Sequence, residues 1–212
     1  MPIQDKFRLA ADAARGFMPS AEGIALYETA TKYAAVGPIG EVGTYCGKST
    51  IYLAAAAAEA GQVVVTVDHH HGSEENQAGW EHHDPDVVDP RTGRMDTLPF
   101  FRATIEEAGL EQHVIAVIGT SADVSRIWRT ELGMLFIDGG HSEVNVVIDY
   151  EGWAPWVAHG GALAFHDIFA DPADGGQAPY RVYLRALASG AFKEVLVTGS
   201  LRVLERVADG VG

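Results

Sequence analysis

Two pairs of side chains in the second half of the chain, Asp138 with His141 and His166 with Asp167, each follow a short apolar segment. Carboxylates can share a divalent cation, which lowers the pKa of a bound alcohol, and a neutral histidine can accept the proton that the alcohol releases. The alternative is a hydrogen-bonded loop cluster that holds no metal. The segments that precede the pairs decide whether these side chains meet.

A glycine-rich segment at residues 41–49, Glu-Val-Gly-Thr-Tyr-Cys-Gly-Lys-Ser, lies between a predicted strand and a predicted helix. Gly43 permits a sharp turn, and the helix offers free amide groups at its positive end. A P-loop needs four residues between its glycines and this segment has three, while a dinucleotide fingerprint needs a further glycine pair. Nucleotide binding is therefore disfavoured. Two alternatives stay open: the segment binds another kind of ligand, or its glycines only form a tight turn and bind no ligand.

Apolar and amphipathic segments alternate along the chain, which predicts βαβ units and an open three-layer α/β sheet. The predicted strands are almost wholly apolar, which indicates cover on both faces. The last two are joined by Gly199 and Ser200 alone and must be antiparallel, because parallel neighbours need a crossover. The predicted strands are 38–42, 63–67, 114–118, 134–137, 162–165, 192–198 and 201–207, and the predicted helices are 48–60, 98–108, 121–130, 142–157 and 180–188.

The composition of the 212 residues limits the classes of protein to which the chain can belong. Apolar residues make up 47% and charged residues 21%, which excludes a disordered or fibrous chain. The formal net charge of -14 repels phosphate and anionic lipid, so no nucleic-acid or membrane partner is expected. The single Cys46 and the lack of a secretory signal predict a cytoplasmic protein, and we expect one domain over residues 1–212.

Two segments depart from the alternation of strands and helices. Residues 1–35 look helical with breaks at Gly16 and Pro19, and we expect them to form a lid or extension. Residues 69–97 form a histidine-rich loop, far longer than the usual roughly 2–6 residues, and we expect an active-site loop in which Trp80 stacks on a ring of the ligand or packs on the body of the protein. Zinc is the alternative, although no cysteine accompanies these histidines.

The pattern E-x-G-x-x-x-G-x-S at residues 41–49 resembles motif I of class I S-adenosylmethionine (SAM) methyltransferases, and especially the catechol O-methyltransferases. The resemblance extends over residues 16–207. It implies a Rossmann-like fold with a seven-stranded, mostly parallel sheet, an antiparallel last strand and helices on both faces. It also implies cofactor contacts at Met18, Glu41, Gly43, Tyr45, Ser49, Asp68, Ser121, Ala122 and Asp138, among which Asp68 would accept hydrogen bonds from ribose hydroxyls.

The resemblance also implies a metal site and a base. In catechol-type enzymes an aspartate after the fourth strand binds Mg²⁺ and a lysine three residues later is the base, whereas metal-dependent sugar O-methyltransferases have Asp-x-x-His. Asp138-x-x-His141 is similar to the latter, which implies Mg²⁺ or Mn²⁺ at Asp138, Asp167 and His166, with His141 as general base. Because Mg²⁺ prefers oxygen ligands, His166 could instead lie outside the ligand shell, fix Asp167, or favour a transition metal.

The activity implied by this resemblance is transfer of the SAM methyl group to a hydroxyl of a sugar or glycoside. Its narrowest form is 1-O-methylation of 3-O-methylmannosides, as in methylmannose polysaccharide synthesis. The enzymatic alternative is a catechol-type or other phenol O-methyltransferase, and the non-enzymatic alternative is a SAM-binding regulatory protein. The aromatic N-terminal segment, Trp153 and Trp156 suggest a homodimer.

Overall fold

The protein is described by a computed structural model that covers residues 2–77, 79 and 83–210, so Trp80 and the role predicted for it lie outside the described residues. Helices and strands alternate as expected. The α-helices are α1 (Asp5–Ala13), α2 (Ser20–Tyr33), α3 (Lys48–Glu59), α4 (Leu98–Glu107), α5 (Ser121–Ile127), α6 (Glu143–Trp153) and α7 (Ala178–Ala188). The strands are β1 (Ile39–Val42), β2 (Val64–Asp68), β3 (Val88–Asp89), β4 (Arg94–Met95), β5 (Val114–Ile118), β6 (Leu132–Ile137), β7 (Val157–Phe165), β8 (Phe192–Thr198) and β9 (Leu201–Arg206).

Seven strands form one sheet in the order β5-β2-β1-β6-β7-β9-β8. Neighbouring strands from β5 to β7 are parallel, whereas β9 is antiparallel to both β7 and β8. The predicted fold class, including the antiparallel last strand, is confirmed. Because the chain moves outward from β1 to β5 and returns at β6, the strand order reverses between β1 and β6. Ligands of open α/β sheets bind beyond the carboxyl ends of the strands at such a reversal.

Helices cover both faces of the sheet and enclose two apolar cores. Residues of α1–α4 pack on one face, and residues of α5–α7 pack on the other. Trp153, one of the two tryptophans that suggested a homodimer, is buried in the second core, and the homodimer stays a prediction. None of the described helices is long and apolar enough to cross a membrane.

The structure corrects the boundary between α6 and β7. The helix predicted over 142–157 ends at Trp153, and the strand predicted over 162–165 begins already at Val157. Pro155 lacks the amide hydrogen that would continue the helix. Val157 instead pairs with Leu132 of β6, across an irregularity in register that a local sequence pattern does not reveal.

Two further expectations about the strands and helices are wrong in part. The edge strands β5 and β8 have several exposed residues, so cover on both faces holds only for the inner strands. The helix predicted over 121–130 ends at Ile127. Its N-cap is Thr120, whose hydroxyl accepts a hydrogen bond from the amide of Asp123.

The long segment at residues 69–97 is attached to the protein at several points. It contains short turns of 3₁₀ helix and the two-stranded ribbon β3–β4. Val87 and Met95 pack against Cys46 in a small apolar cluster. The loop therefore reaches the glycine-rich segment and packs beside it.

Candidate cofactor and cation site

A cavity of about 610 Å³ lies beyond the carboxyl ends of β1, β2, β6 and β7. This is the edge of the sheet at which the strand order reverses. The cavity is lined by every residue predicted for the cofactor, the cation and the base except Glu41: Met18, Gly43, Tyr45, Ser49, Asp68, Ser121, Ala122, Asp138, His141, His166 and Asp167.

The turn after β1 is held against the neighbouring strands. Gly43 has a φ of +85°, and a Cβ at this position would overlap the carbonyl oxygen of Asp138, so only glycine fits. The Asp68 carboxylate accepts hydrogen bonds from the amides of Thr44 (2.8 Å), Tyr45 (3.0 Å) and His70 (2.7 Å). Because a carboxylate has about four acceptor positions, Asp68 keeps capacity for one ligand hydroxyl. Its contact with the ribose stays a prediction.

Glu41 lies beneath this turn and does not line the cavity. It is fully buried and accepts hydrogen bonds from the hydroxyls of Ser49 and Thr50, both at 2.6 Å. Burial raises its pKa to about 7, although these hydrogen bonds oppose the rise. The structure thus shows Glu41 tying the first turn of α3 to β1, and its predicted contact with the cofactor stays a prediction.

Strained backbone marks the same edge of the sheet. The described non-glycine residues in the left-handed conformation are Tyr45 (φ 49°), His70 (φ 61°) and Asp167 (φ 55°). Such conformations are uncommon for residues with a Cβ and concentrate at functional sites. Tyr45 and Asp167 line the cavity directly, which is consistent with a binding role for this edge.

The two pairs after β6 and β7 meet in the cavity. His141 Nε2 lies 3.2 Å from Asp167 Oδ2, and His166 Nδ1 lies 3.3 Å from one oxygen each of Asp138 and Asp167. Ligand atoms of Asp138, His141 and Asp167 all lie within 4.8 Å of one another, and we call these three residues the cation cluster. The two carboxylates of the cluster are suitable oxygen donors for Mg²⁺ or Mn²⁺, and His141 lies beside them.

The charges of this region are strongly coupled. Burial opposes ionisation of Asp167, but hydrogen bonds from His141 and His166 outweigh it and hold its pKa well below the ordinary range. Burial likewise opposes protonation of His166, but the neighbouring Asp138, Asp167 and Glu22 outweigh it and raise its pKa.

Glu22 of α2 is a site residue that sequence reasoning missed. Its Oε2 atom lies 2.6 Å from His166 Nε2, and the carboxylate also accepts hydrogen bonds from the amide and hydroxyl of Ser200. Glu22 and His166 are separated by 144 positions, and no local pattern links them. The only local feature of Glu22 is its place in the first turn of α2, which does not point to His166.

Asp149 of α6 is a second missed residue. It is buried, it lines the cavity, and burial raises its pKa to about 6 against a hydrogen bond from Ser121. The Ser121 hydroxyl also accepts a hydrogen bond from the Trp153 ring nitrogen at 2.8 Å. Ser121, one of the predicted cofactor contacts, is therefore held in place by two partners on α6.

The mouth of the cavity is bridged by an ionic contact. Arg15 pairs with Asp84 and lies 3.2 Å from Asp86, while the Tyr45 hydroxyl lies 3.2 Å from Asp84. The rings of Phe17 and Tyr45 are 5.6 Å apart. These contacts join the N-terminal segment to the histidine-rich loop, the two segments that we expect to close over the site.

Three described histidines of the long loop form hydrogen-bond contacts with other residues of the same loop. His70 is buried with Nδ1 2.8 Å from the Thr97 hydroxyl, and burial lowers its pKa. His71 Nδ1 lies 2.7 Å from the Met95 carbonyl oxygen, and His83 Nδ1 lies 3.0 Å from a backbone carbonyl of the same loop. Within the described ranges, the residues that could share a metal are those of the cation cluster rather than these histidines.

Comparison with solved structures places this architecture among methyltransferases. The fold is similar to that of the O-methyltransferase TomG from Streptomyces achromogenes in complex with SAM, at 16% identity and a TM-score of 0.65, covering 97% of this chain and 91% of that chain. It is similar to an O-methyltransferase from Bacillus cereus in complex with S-adenosylhomocysteine (SAH), at 18% identity and a TM-score of 0.64, covering 97% and 93%. It is also similar to the SAH-bound methyltransferase PaMTH1 from Podospora anserina, at 13% identity and a TM-score of 0.68, covering 98% and 90%.

Structures this distant in sequence show only the fold, whereas a match to a family model assigns the chain to a family. The model is described as a methyltransferase domain, and it matches residues 41–168, more than half of the chain. The match begins at the glycine-rich turn and ends just after the His166–Asp167 pair, so it spans the main chemical groups of the cavity. The chain belongs to the methyltransferase domain family.

Proposed function

We propose that the protein is a SAM-dependent O-methyltransferase that uses a divalent cation to activate a hydroxyl of a sugar or glycoside. The methyltransferase family and the O-methyltransferases of similar fold support the reaction class. The observation on which the cation requirement depends is the convergence of Asp138, His141 and Asp167 within 4.8 Å.

The cofactor would bind where the glycine-rich turn and β2 border the cavity. Gly43 gives close access to the backbone, Asp68 keeps an acceptor position for a hydroxyl, and Ser121, which follows the neighbouring strand β5, also lines the cavity. When bound, SAM supplies a sulfonium methyl group. The task of the protein is then to hold an acceptor hydroxyl in line with that methyl group.

The cation would be held by Asp138 and Asp167, with His166 Nδ1 facing both carboxylates. When bound, a divalent cation lowers the pKa of an alcohol hydroxyl. The His141 side chain is 29% exposed, and its Nε2 lies 3.2 Å from Asp167 Oδ2. A cation on Asp167 would replace this hydrogen bond, and the neutral ring with its hydrogen on Nδ1 would then direct Nε2 as an acceptor at a hydroxyl beside Asp167. His141 would accept the proton of that hydroxyl as general base.

The outer part of the cavity supports a polyhydroxylated acceptor. Ser73, Asn76, Asn145 and Asp174 line it and offer both donors and acceptors to ligand hydroxyls. Phe17, which is 65% exposed, adds an aromatic surface at the mouth. A 3-O-methylmannoside, methylated at O1, is the acceptor that we propose to test first, and a catechol is the competing acceptor.

A cytoplasmic location and a homodimer are further parts of the proposal. The net charge of -14 supports the absence of nucleic-acid and membrane partners. Light scattering after size-exclusion chromatography would measure the mass in solution, and a monomer would refute the homodimer.

Two measurements test the proposed function. Calorimetric titration should show binding of SAH but not of ATP, and methyl transfer to mannosides should require Mg²⁺ or Mn²⁺ and stop with a chelator. Binding of ATP alone would overturn the cofactor assignment, and transfer to catechols only would overturn the sugar assignment.

The base assignment is tested by His141→Ala. Loss of the general base should reduce kcat by about 10²–10⁴-fold while SAH affinity is unchanged. His159→Ala is the matched control, because His159 is exposed and contacts the Val207 carbonyl oxygen away from the cavity. Wild-type turnover by His141→Ala would show that His141 is not the base.

A further inference from the structure

Glu22 and His166 form a buried pair behind the cation cluster. Both residues are 6% exposed, and Glu22 Oε2 lies 2.6 Å from His166 Nε2. Glu22 belongs to α2, whereas His166 directly follows β7. The pair therefore connects the N-terminal helical layer to the end of the strand that presents Asp167.

Hydrogen bonding determines which nitrogen of His166 faces the cluster. Glu22 accepts hydrogen bonds from the Ser200 amide at 2.8 Å and the Ser200 hydroxyl at 3.1 Å, so it is an acceptor in this pocket. His166 Nε2 must then donate its hydrogen to Glu22. The ring is held with Nδ1 directed at Asp138 and Asp167, 3.3 Å from one oxygen of each.

The turn between β8 and β9 is shaped around the Glu22 carboxylate. Gly199 has a φ of +54°, and a Cβ at this position would overlap Glu22 Oε1. The carbonyl oxygen of Ser200 accepts a hydrogen bond from the amide of Ile168, next to Asp167, at 3.0 Å. Burial of an unpaired carboxylate destabilises the folded state. Here the carboxylate accepts from His166 and from the amide and hydroxyl of Ser200, and the glycine turn leaves room for it.

We propose that Glu22, acting through His166, is a positioning residue that holds Asp138 and Asp167 in the arrangement that binds the cation. This inference rests on the proposed function, because the cation is part of it. Groups that orient metal ligands from behind typically change metal affinity by about 10–100-fold when they are replaced. Glu22 has the geometry of such a group, since it fixes the ring that contacts both carboxylates.

The test is calorimetric titration of Mn²⁺ into the wild-type protein and Glu22→Gln, with SAH titrated in parallel. Glutamine has nearly the same shape as glutamate but presents an amide donor where the Ser200 and His166 donors need acceptors. We expect the Mn²⁺ Kd to rise about 10–100-fold in Glu22→Gln, while the SAH Kd changes less than about twofold.

The matched control is Glu205→Gln. Glu205 of β9 accepts a hydrogen bond from Tyr33 at 2.6 Å, so it links β9 to α2, the helix that carries Glu22. The substitution Glu205→Gln removes one negative charge, as Glu22→Gln does. It contacts neither His166 nor the cation cluster in the interactions described. We expect its Mn²⁺ Kd to equal that of the wild type.

The outcomes separate this inference from the proposed function. If the wild type binds no Mn²⁺, the cation requirement fails and the inference fails with it. If the wild type binds Mn²⁺ and Glu22→Gln binds it equally well, or if both glutamine variants weaken binding equally, only the positioning role is overturned. If Glu22→Gln does not fold, the Mn²⁺ titration is made with Ser200→Ala, which removes only the hydroxyl donor to Glu22. Unchanged Mn²⁺ binding in that variant would overturn the positioning role.

Discussion

Replacing Glu41 with glutamine should make the protein more stable at pH 8 and remove one source of the pH dependence of its stability. Glu41 is fully buried, and burial raises its pKa from 4.5 to about 7. One pKa unit corresponds to about 1.4 kcal/mol, so keeping this carboxylate ionised in the folded state costs on the order of 3 kcal/mol above pH 7.

The sign follows from the protons bound in each state. Below pH 4.5 Glu41 is protonated in both the folded and the unfolded protein, and its ionisation costs nothing. Between pH 4.5 and about 7 the unfolded chain loses the proton while the folded protein retains it, so stability falls as the pH rises. Above that window both states are ionised and the full cost remains.

Glutamine removes the charge but also changes the hydrogen bonds. Ser49 and Thr50 both donate to Glu41, and a glutamine offers them only one oxygen acceptor. The weakened hydrogen bond costs about 1 kcal/mol at every pH. We therefore expect Glu41→Gln to be less stable than the wild type by about 1 kcal/mol at pH 4.5 and more stable by about 2 kcal/mol at pH 8.

Urea unfolding followed by tryptophan fluorescence at several pH values would measure this crossover. Glu106→Gln is the matched control, because Glu106 is exposed on α4, and its unfolding free energy should follow that of the wild type. A constant difference between Glu41→Gln and the wild type from pH 4.5 to 8 would refute the reasoning, since it would show that Glu41 does not titrate with a raised pKa.

Two further predictions concern access to the cavity. Gly43→Ala should abolish detectable SAH binding in calorimetry. Position 43 has a φ of +85°, and the added Cβ would overlap the Asp138 carbonyl oxygen, so the turn would have to move. SAH affinity equal to that of the wild type would show that this turn does not form the site. Arg15→Ala should raise the SAH Kd roughly fivefold, because loss of the contact with Asp84 removes about 1 kcal/mol from the closed mouth. Arg8→Ala, which loses only exposed contacts on α1, should bind SAH as the wild type does, and equal behaviour of both arginine variants would refute the closing role.

Much of the architecture was predictable because its causes are local. Apolar runs, glycine punctuation and the two-residue connection at Gly199 and Ser200 predicted the strands of the main sheet, the helices between them and the antiparallel pair, which the structure confirms, whereas the short ribbon β3–β4 was not predicted. That the chain is a methyltransferase also followed from a local pattern, the glycine-rich turn at residues 41–49, and the match to a methyltransferase domain confirms this broader assignment. The convergence of Asp138 with Asp167 was predictable because the carboxyl ends of neighbouring parallel strands lie at one edge of a sheet.

The sequence by itself thus determined the order of the elements of the main sheet, the edge of that sheet at which the candidate site lies and the side chains that follow its strands. Only the tertiary structure decided what stands behind those side chains. Glu22 faces His166 because α2 packs beside the turn between β8 and β9, and Asp149 reaches Ser121 because α5 packs against α6. Such contacts join residues far apart in the chain. They depend on how whole helices pack, and the spacing of residues within one segment does not predict that packing.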